Sequence, residues 1–267
     1  MNQKLQGWSR YPSLAVLLLI AVVRSVSADE VSVAVAANFT EAARELAARF
    51  EQATGHRARL SFGSTGHFYA QISNGAPYQV FLAADAERPR KAESTGRAVK
   101  GSRFTYARGA LVLVSDHAGK FGDGPAFLEA GDYARLAIAN PETAPYGLAA
   151  RQALEKLGLW RQLQPKIVRG NSIAQTYQFV ATGNADIGFV ATSQVLAREA
   201  KNGETFGSSW LVPAKFYEPI EQQAVLLTRG AESEAANAYI AFLKSDDART
   251  IIARHGYTLP KLDTAQR

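Results

Sequence analysis

Short apolar runs alternate with amphipathic stretches along almost the whole chain. Val31-Ser32-Val33-Ala34-Val35-Ala36 predicts a short strand. The stretch 40–54 follows, with Ala43, Leu46, Ala47 and Phe50 at helical spacing. Gly55 stops that helix, because glycine readily takes the left-handed conformation in which helices often end. Residues 59–62 predict a second strand and 67–73 a short helix, halted at Asn74-Gly75-Ala76-Pro77; 80–84 predicts a third strand. Two successive βαβ units favour a parallel sheet covered by helices, with sites at the carboxyl ends of its strands.

The middle of the chain repeats the plan. Strands are predicted at 110–114, 136–139, 166–168 and 187–191, a glycine-punctuated loop at 119–124, and helices at 148–157, 172–182 and 195–201. The Pro219-marked segment 216–220 reads as a crossover. A strand at 224–227, helices at 233–244 and 246–255 and a polar tail after Pro260 complete the chain.

Chemistry concentrates where apolar strands turn into helices. Four such turns carry small hydrogen-bonding residues: Ala36-Ala37-Asn38-Phe39-Thr40, Gly63-Ser64-Thr65-Gly66, Asn140 to Gly147, and Gly170-Asn171-Ser172-Ile173-Ala174-Gln175. A helix start presents unpaired N–H groups and the positive end of a dipole, so it attracts anions. Each turn alone is also what an ordinary N-cap looks like. If several converged on one cleft, they would hold an oxyanion without any Lys or Arg.

The N-terminus adds a compartment. Lys4 and Arg10 precede the apolar run 14–23, and Val26-Ser27-Ala28 supplies small residues for cleavage before Asp29. We read 1–28 as a signal peptide and the mature protein as periplasmic. The chain has no cysteine, which excludes a disulfide framework, a thiolate metal site and a lipid-modified N-terminal Cys. Formal net charge is +6, but residues 1–28 hold three of the bases and no acid, leaving 27 basic against 24 acidic residues. These are interspersed, as in Glu41/Arg44/Glu45/Arg49/Glu51, which describes a solvated helix face rather than a nucleic-acid groove. The four His (56, 67, 117, 255) show no metal-ligand spacing, and no G-x-S-x-G element is present. Neither catalytic residues nor a cofactor nor a free cation site is expected, and His67 reads as a solvated first-turn residue.

Ala36-Ala37-Asn38, Phe62-Gly63-Ser64-Thr65-Gly66 and Gln71 to Pro77 resemble the N-terminal half of periplasmic molybdate-binding proteins. Asn140-Pro141-Glu142 with Pro145-Tyr146-Gly147, Gly183 to Val190, and Phe242-Leu243-Lys244 with Gly256-Tyr257 extend the match over nearly the whole mature chain. The resemblance implies a two-lobed type II periplasmic binding-protein fold of the α/β class, each lobe a mostly parallel sheet flanked by helices. Lobe I would comprise 29–107 and 220–267 with the tail, and lobe II 108–219. It implies oxyanion contacts from Asn38 and Ser64 or Thr65 in lobe I, and from Tyr146 and the backbone around Ile173 in lobe II. Some relatives use a Tyr at the end of the strand that here ends in Ala191; Tyr146 would supply the hydroxyl instead. Implied partners are molybdate or tungstate and the permease of an ABC transporter, with the protein itself a monomer that meets the membrane only through that permease.

The chemistry is coherent on its own terms. Molybdate is a dianion without a proton at neutral pH, whereas phosphate carries one that must find an acceptor. A site made only of donors leaves that proton unpaired, at a cost of roughly 1–3 kcal/mol. Sulfate passes the same test, so cavity size and donor spacing must reject it. The alternatives are a binding protein for another oxyanion, such as sulfate or phosphate, and a secreted hydrolase.

Overall fold

Residues 29–260 are described by the computed structural model; the signal peptide assigned to 1–28 and the end of the tail lie outside them. The chain forms two lobes, each built on a five-stranded sheet. In the first sheet, β1 (Glu30–Ala36), β2 (Arg57–Gly63), β3 (Val80–Ala83), β4 (Phe104–Gly109) and β10 (Ile220–Leu226) lie in the order β2-β1-β3-β10-β4. In the second, β5 (Leu111–Ser115), β6 (Leu136–Ala139), β7 (Ile167–Gly170), β8 (Ile187–Ala191) and β9 (Ser208–Leu211) lie in the order β7-β6-β8-β5-β9. The chain crosses from the first sheet to the second at Ala110 and returns between β9 and β10.

Mostly parallel sheets were expected, and the strand directions agree: each sheet holds a single reversed strand among its five. β2-β1-β3 and β7-β6-β8 pair in parallel. β10 pairs antiparallel with β3 and β4, and β5 pairs antiparallel with β8 and β9. Four of the five strands in each sheet therefore point the same way, and the one reversed strand is the first to arrive from the other lobe. A chain that leaves one lobe at the cleft enters the next lobe at the cleft. Its strand must then run away from the cleft, against the strands that end there.

Helices cover both faces of each sheet, which is why the central strands are apolar throughout rather than alternating. In the first lobe, Val33 and Val35 of β1 pack with Leu46 and Phe50 of α1 (Thr40–Thr54). Ala34 faces the opposite way, with Phe68 and Ile72 of α2 (Thr65–Ser73). Burying each large apolar side chain stabilises the lobe by roughly 1.5–3 kcal/mol. Gly55 ends α1 in the left-handed region at φ 77° and returns its N–H to Glu51 O, as the sequence predicts. In the second lobe, Leu136 and Ile138 of β6 pack with Ala150 and Leu154 of α5 (Pro145–Lys156). The other helices are α3 (Glu87–Ser94), α4 (Gly124–Ala130), α6 (Trp160–Leu163), α7 (Ile173–Ala181), α8 (Thr192–Asn202), α9 (Glu234–Phe242) and α10 (Asp246–Arg254). No described helix is long and apolar enough to cross a membrane.

The reading at 224–227 captured only the second half of β10. Its first half carries Glu221, Gln222 and Gln223, and polar residues there hid the strand. Helices α2 and α5 begin two and three residues earlier than predicted, at Thr65 and Pro145, so the polar turns themselves belong to the first helical turn.

Candidate functional site

Four helix starts face one another across the cleft. From the first lobe come the 3-10 turn Ala37–Phe39, directly after β1, and α2, directly after β2. From the second come α5, after β6, and α7, after β7. Together they line a small pocket that contains all five residues singled out in the sequence: Asn38, Ser64, Thr65, Tyr146 and Ile173. Ala36, Ala37, Gly63, Ala84, Ala144 and Pro145 complete the lining, and none of these residues carries a charge. The cavity offers about 10 Å³ to the centre of a water-sized sphere.

The pocket is rich in donors. The first N–H groups of each helix have no partner within it. Ser64, the N-cap of α2, is buried, and its Oγ has no hydrogen-bond partner among the described residues. Thr65 Oγ1 accepts from the Ala84 N–H at 3.0 Å, which leaves its own proton to give away. Tyr146 is 1% exposed, and its Oη accepts from Gln222 Nε2 at 3.3 Å. Burial pushes the Tyr146 phenol well above its ordinary range, with Tyr257, Tyr106 and Tyr217 adding to the effect. It is therefore a neutral donor at any pH the protein meets. Ile173 opens α7, where the Ser172 side chain caps the helix by accepting from the Gln175 N–H.

Asn38 requires a correction at the level of the atom. It sits in the pocket lining, but its side-chain Nδ2 donates to Gln222 Oε1 at 2.8 Å and to Tyr257 Oη at 3.1 Å. Both amide hydrogens are engaged inside the fold, so the donor that Asn38 can still offer is its backbone N–H at the start of the 3-10 turn. Gln222, Tyr106 and Tyr257 form the buried layer behind the pocket; sequence reading assigned none of them to the site, and Tyr257 entered only as part of the matched Gly256-Tyr257 ending. No local signal marks them: they reach the site from strands and turns far away along the chain.

The lobes are in contact around this pocket. Gly66 N–H donates to Thr143 O at 2.8 Å, Arg88 Nη2 to Glu142 O at 2.9 Å and Ser193 Oγ to Asn38 O at 3.0 Å. Glycine is required at the first of these approaches and at a further one, between Gly109 and Tyr146. A Cβ on Gly66 would lie 2.9 Å from the Thr143 Cα and carbonyl oxygen, and one on Gly109 would lie 2.0 Å from Tyr146 Oη. The arrangement is that of a closed cleft.

A hydrolase needs a base beside its nucleophile, and the histidines do not supply one. His67 is exposed, His255 pairs with Glu45 at 2.8 Å, and His56 Nδ1 accepts from the Asp29 N–H. Among the described residues no three His, Cys, Asp or Glu side chains gather as a metal site would require.

Comparison with known proteins agrees with this picture. Residues 31–258 match the family of bacterial extracellular solute-binding proteins. The chain is 50% identical over 248 residues to a molybdate-binding protein of Rhodobacter capsulatus, covering 93% of this chain and 96% of that one. It is 53% identical over 236 residues to the molybdate-binding protein of Azotobacter vinelandii, covering 88% and 92%. Among solved structures, the Azotobacter vinelandii periplasmic molybdate-binding protein superposes with a TM-score of 0.82 at 43% identity, over 86% of this chain and all of that one. The sulfate-binding protein SubI of Mycobacterium tuberculosis shares the fold alone, with a TM-score of 0.71 at 15% identity.

Proposed function

The chain belongs to the bacterial extracellular solute-binding proteins, and on that premise we propose that it captures molybdate between its lobes and delivers it to an ABC transporter. It is a binding protein, not an enzyme. The observation that carries the reading is the meeting of four helix starts in one small pocket without a charged side chain. Such a site is complementary to a compact, fully deprotonated dianion. The identity with molybdate-binding proteins over nearly the whole chain supports the same ligand.

Several finer statements belong to this reading. The contacts come from Ser64, Thr65, Tyr146 and the backbone at Asn38 and Ile173. Lobe I comprises 29–109 and 220–260 of the described residues and lobe II 111–219, so the first boundary falls at Ala110 rather than at 107. Residues 1–28 are a signal peptide that is cleaved on export to the periplasm, and the mature protein works as a monomer beside its permease. Tungstate, with the same charge and shape, binds as well. Calorimetric titration of the mature protein with molybdate, tungstate, sulfate and phosphate tests the assignment. We expect one molybdate or tungstate per chain and weak or absent binding of the other two; preferential saturation by sulfate or phosphate would remove the molybdate reading.

A further inference from the structure

Gln222 lies at 0% exposure on β10, where the pairing with β4 slips between Gln222 and Gln223. Such irregularities re-aim side chains next to functional sites. Its Oε1 accepts twice, from Asn38 Nδ2 at 2.8 Å and from Tyr106 Oη at 3.1 Å. These two donors lock the amide, because turning it over would set Nε2 against the Asn38 NH2. The locked Nε2 faces Tyr146 Oη at 3.3 Å, the one side-chain partner that hydroxyl has among the described residues. Gly109 leaves room for the meeting: a Cβ there would lie 2.0 Å from Tyr146 Oη and 2.9 Å from Gln222 Nε2.

We propose that Gln222 is a positioning residue for anion selection: it fixes the direction of the Tyr146 proton, so that lobe II offers the ion a donor and never an acceptor. The inference rests on the molybdate reading above. An amide N–H can only donate, so Tyr146 must receive from Gln222 with a lone pair and point its own proton elsewhere. Tyr146 lines the pocket and its Oη meets no acceptor among the described residues, so a bound ion is the acceptor left to its proton. A molybdate oxygen accepts it. A hydrogen phosphate that turns its hydroxyl toward Tyr146 meets a second donor, and that proton is left unpaired there. Selection against protonated anions is thus set one layer behind the residue that touches the ion.

The test measures a ratio of affinities rather than one affinity. Molybdate and phosphate are titrated in mildly alkaline buffer, where phosphate is chiefly a singly protonated dianion and both ligands carry the same charge. The proteins are wild type, Gln222→Met, Tyr146→Phe and the double variant. Without the Gln222 donor, the Tyr146 hydroxyl is free to turn and accept, so Gln222→Met should narrow the molybdate-to-phosphate ratio by about tenfold, the scale of one buried hydrogen bond. In the Tyr146→Phe background the same change should leave the ratio where Tyr146→Phe put it. Loosened packing alone would weaken both anions alike. An unchanged ratio in Gln222→Met, or equal narrowing with Phe at 146, overturns the proposal. If Gln222→Met does not fold, the isosteric Gln222→Glu gives the same readout, since its carboxylate presents an acceptor where the donor was. A wild type that binds molybdate beside a variant with an unchanged ratio removes this proposal alone. A wild type that binds no molybdate removes the functional reading and the proposal together.

Discussion

A hydroxyl buried without a partner costs a folded protein roughly 1–3 kcal/mol, and Ser64 Oγ is in that position among the described residues. Removing it should relieve the empty protein and harm only the complex. Ser64→Ala is expected to leave the ligand-free thermal midpoint unchanged or higher while weakening molybdate binding by roughly 1–3 kcal/mol. Calorimetry and thermal melting on one preparation check both halves. His67→Ala, on the exposed side of the same helical turn, should change neither. The turns that hold Ser64, Thr65 and Ile173 were legible as helix starts because capping is local chemistry, whereas the choice of these residues as ion contacts came from the family resemblance. Asn38 was legible as a position but not as an atom, since the bond that engages its amide reaches across 184 residues. Gln222 had no local mark at all, and only the folded register of β10 brings it behind Tyr146.

At the scale of elements, α2 joins the pocket to the lobe contact. Its start supplies Ser64 and Thr65, and the next residue, Gly66, touches Thr143 of the other lobe backbone to backbone. Gly66→Ala should favour the helix itself, by up to about 1 kcal/mol, yet its Cβ would press on Thr143 at 2.9 Å. We therefore expect a protein as stable as wild type without ligand, with weaker molybdate binding and a larger radius of gyration in small-angle scattering at saturating ligand. A variant that binds and closes like wild type would show that this approach does not limit closure. The elements that escaped sequence reading share one property: their apolar pattern is thin. Helix α3 buries only Pro89 and Ala92, β9 is a four-residue edge strand, and β4 carries Arg108, which pairs across to Glu221 on β10. Strands and helices buried on a broad face, such as β1 and α1, declared themselves by periodicity alone.

For the whole molecule, buried phenols set an upper limit on pH. Burial raises Tyr106, Tyr146, Tyr239 and Tyr257 above the ordinary value of 10.0. Below that value the phenols are protonated in folded and unfolded chains alike, and their contribution to stability is fully present. Above it the unfolded chain releases protons that the folded chain retains, so stability is lost as pH rises toward the folded values. Thermal midpoints should be insensitive to these groups through neutral pH and fall steeply beyond about pH 10. A flat profile there would mean the phenols ionise without unfolding. The strand order of the two sheets carries one more consequence. β2-β1-β3 and β7-β6-β8 are the same three-strand unit used twice, and each sends the helices after its first and second strands to the pocket. The four helix starts are therefore two pairs of topological equivalents, one member of each pair in each lobe. Duplication has split the set of donors evenly, so that neither half of the molecule owns a complete binding site and only their meeting makes one.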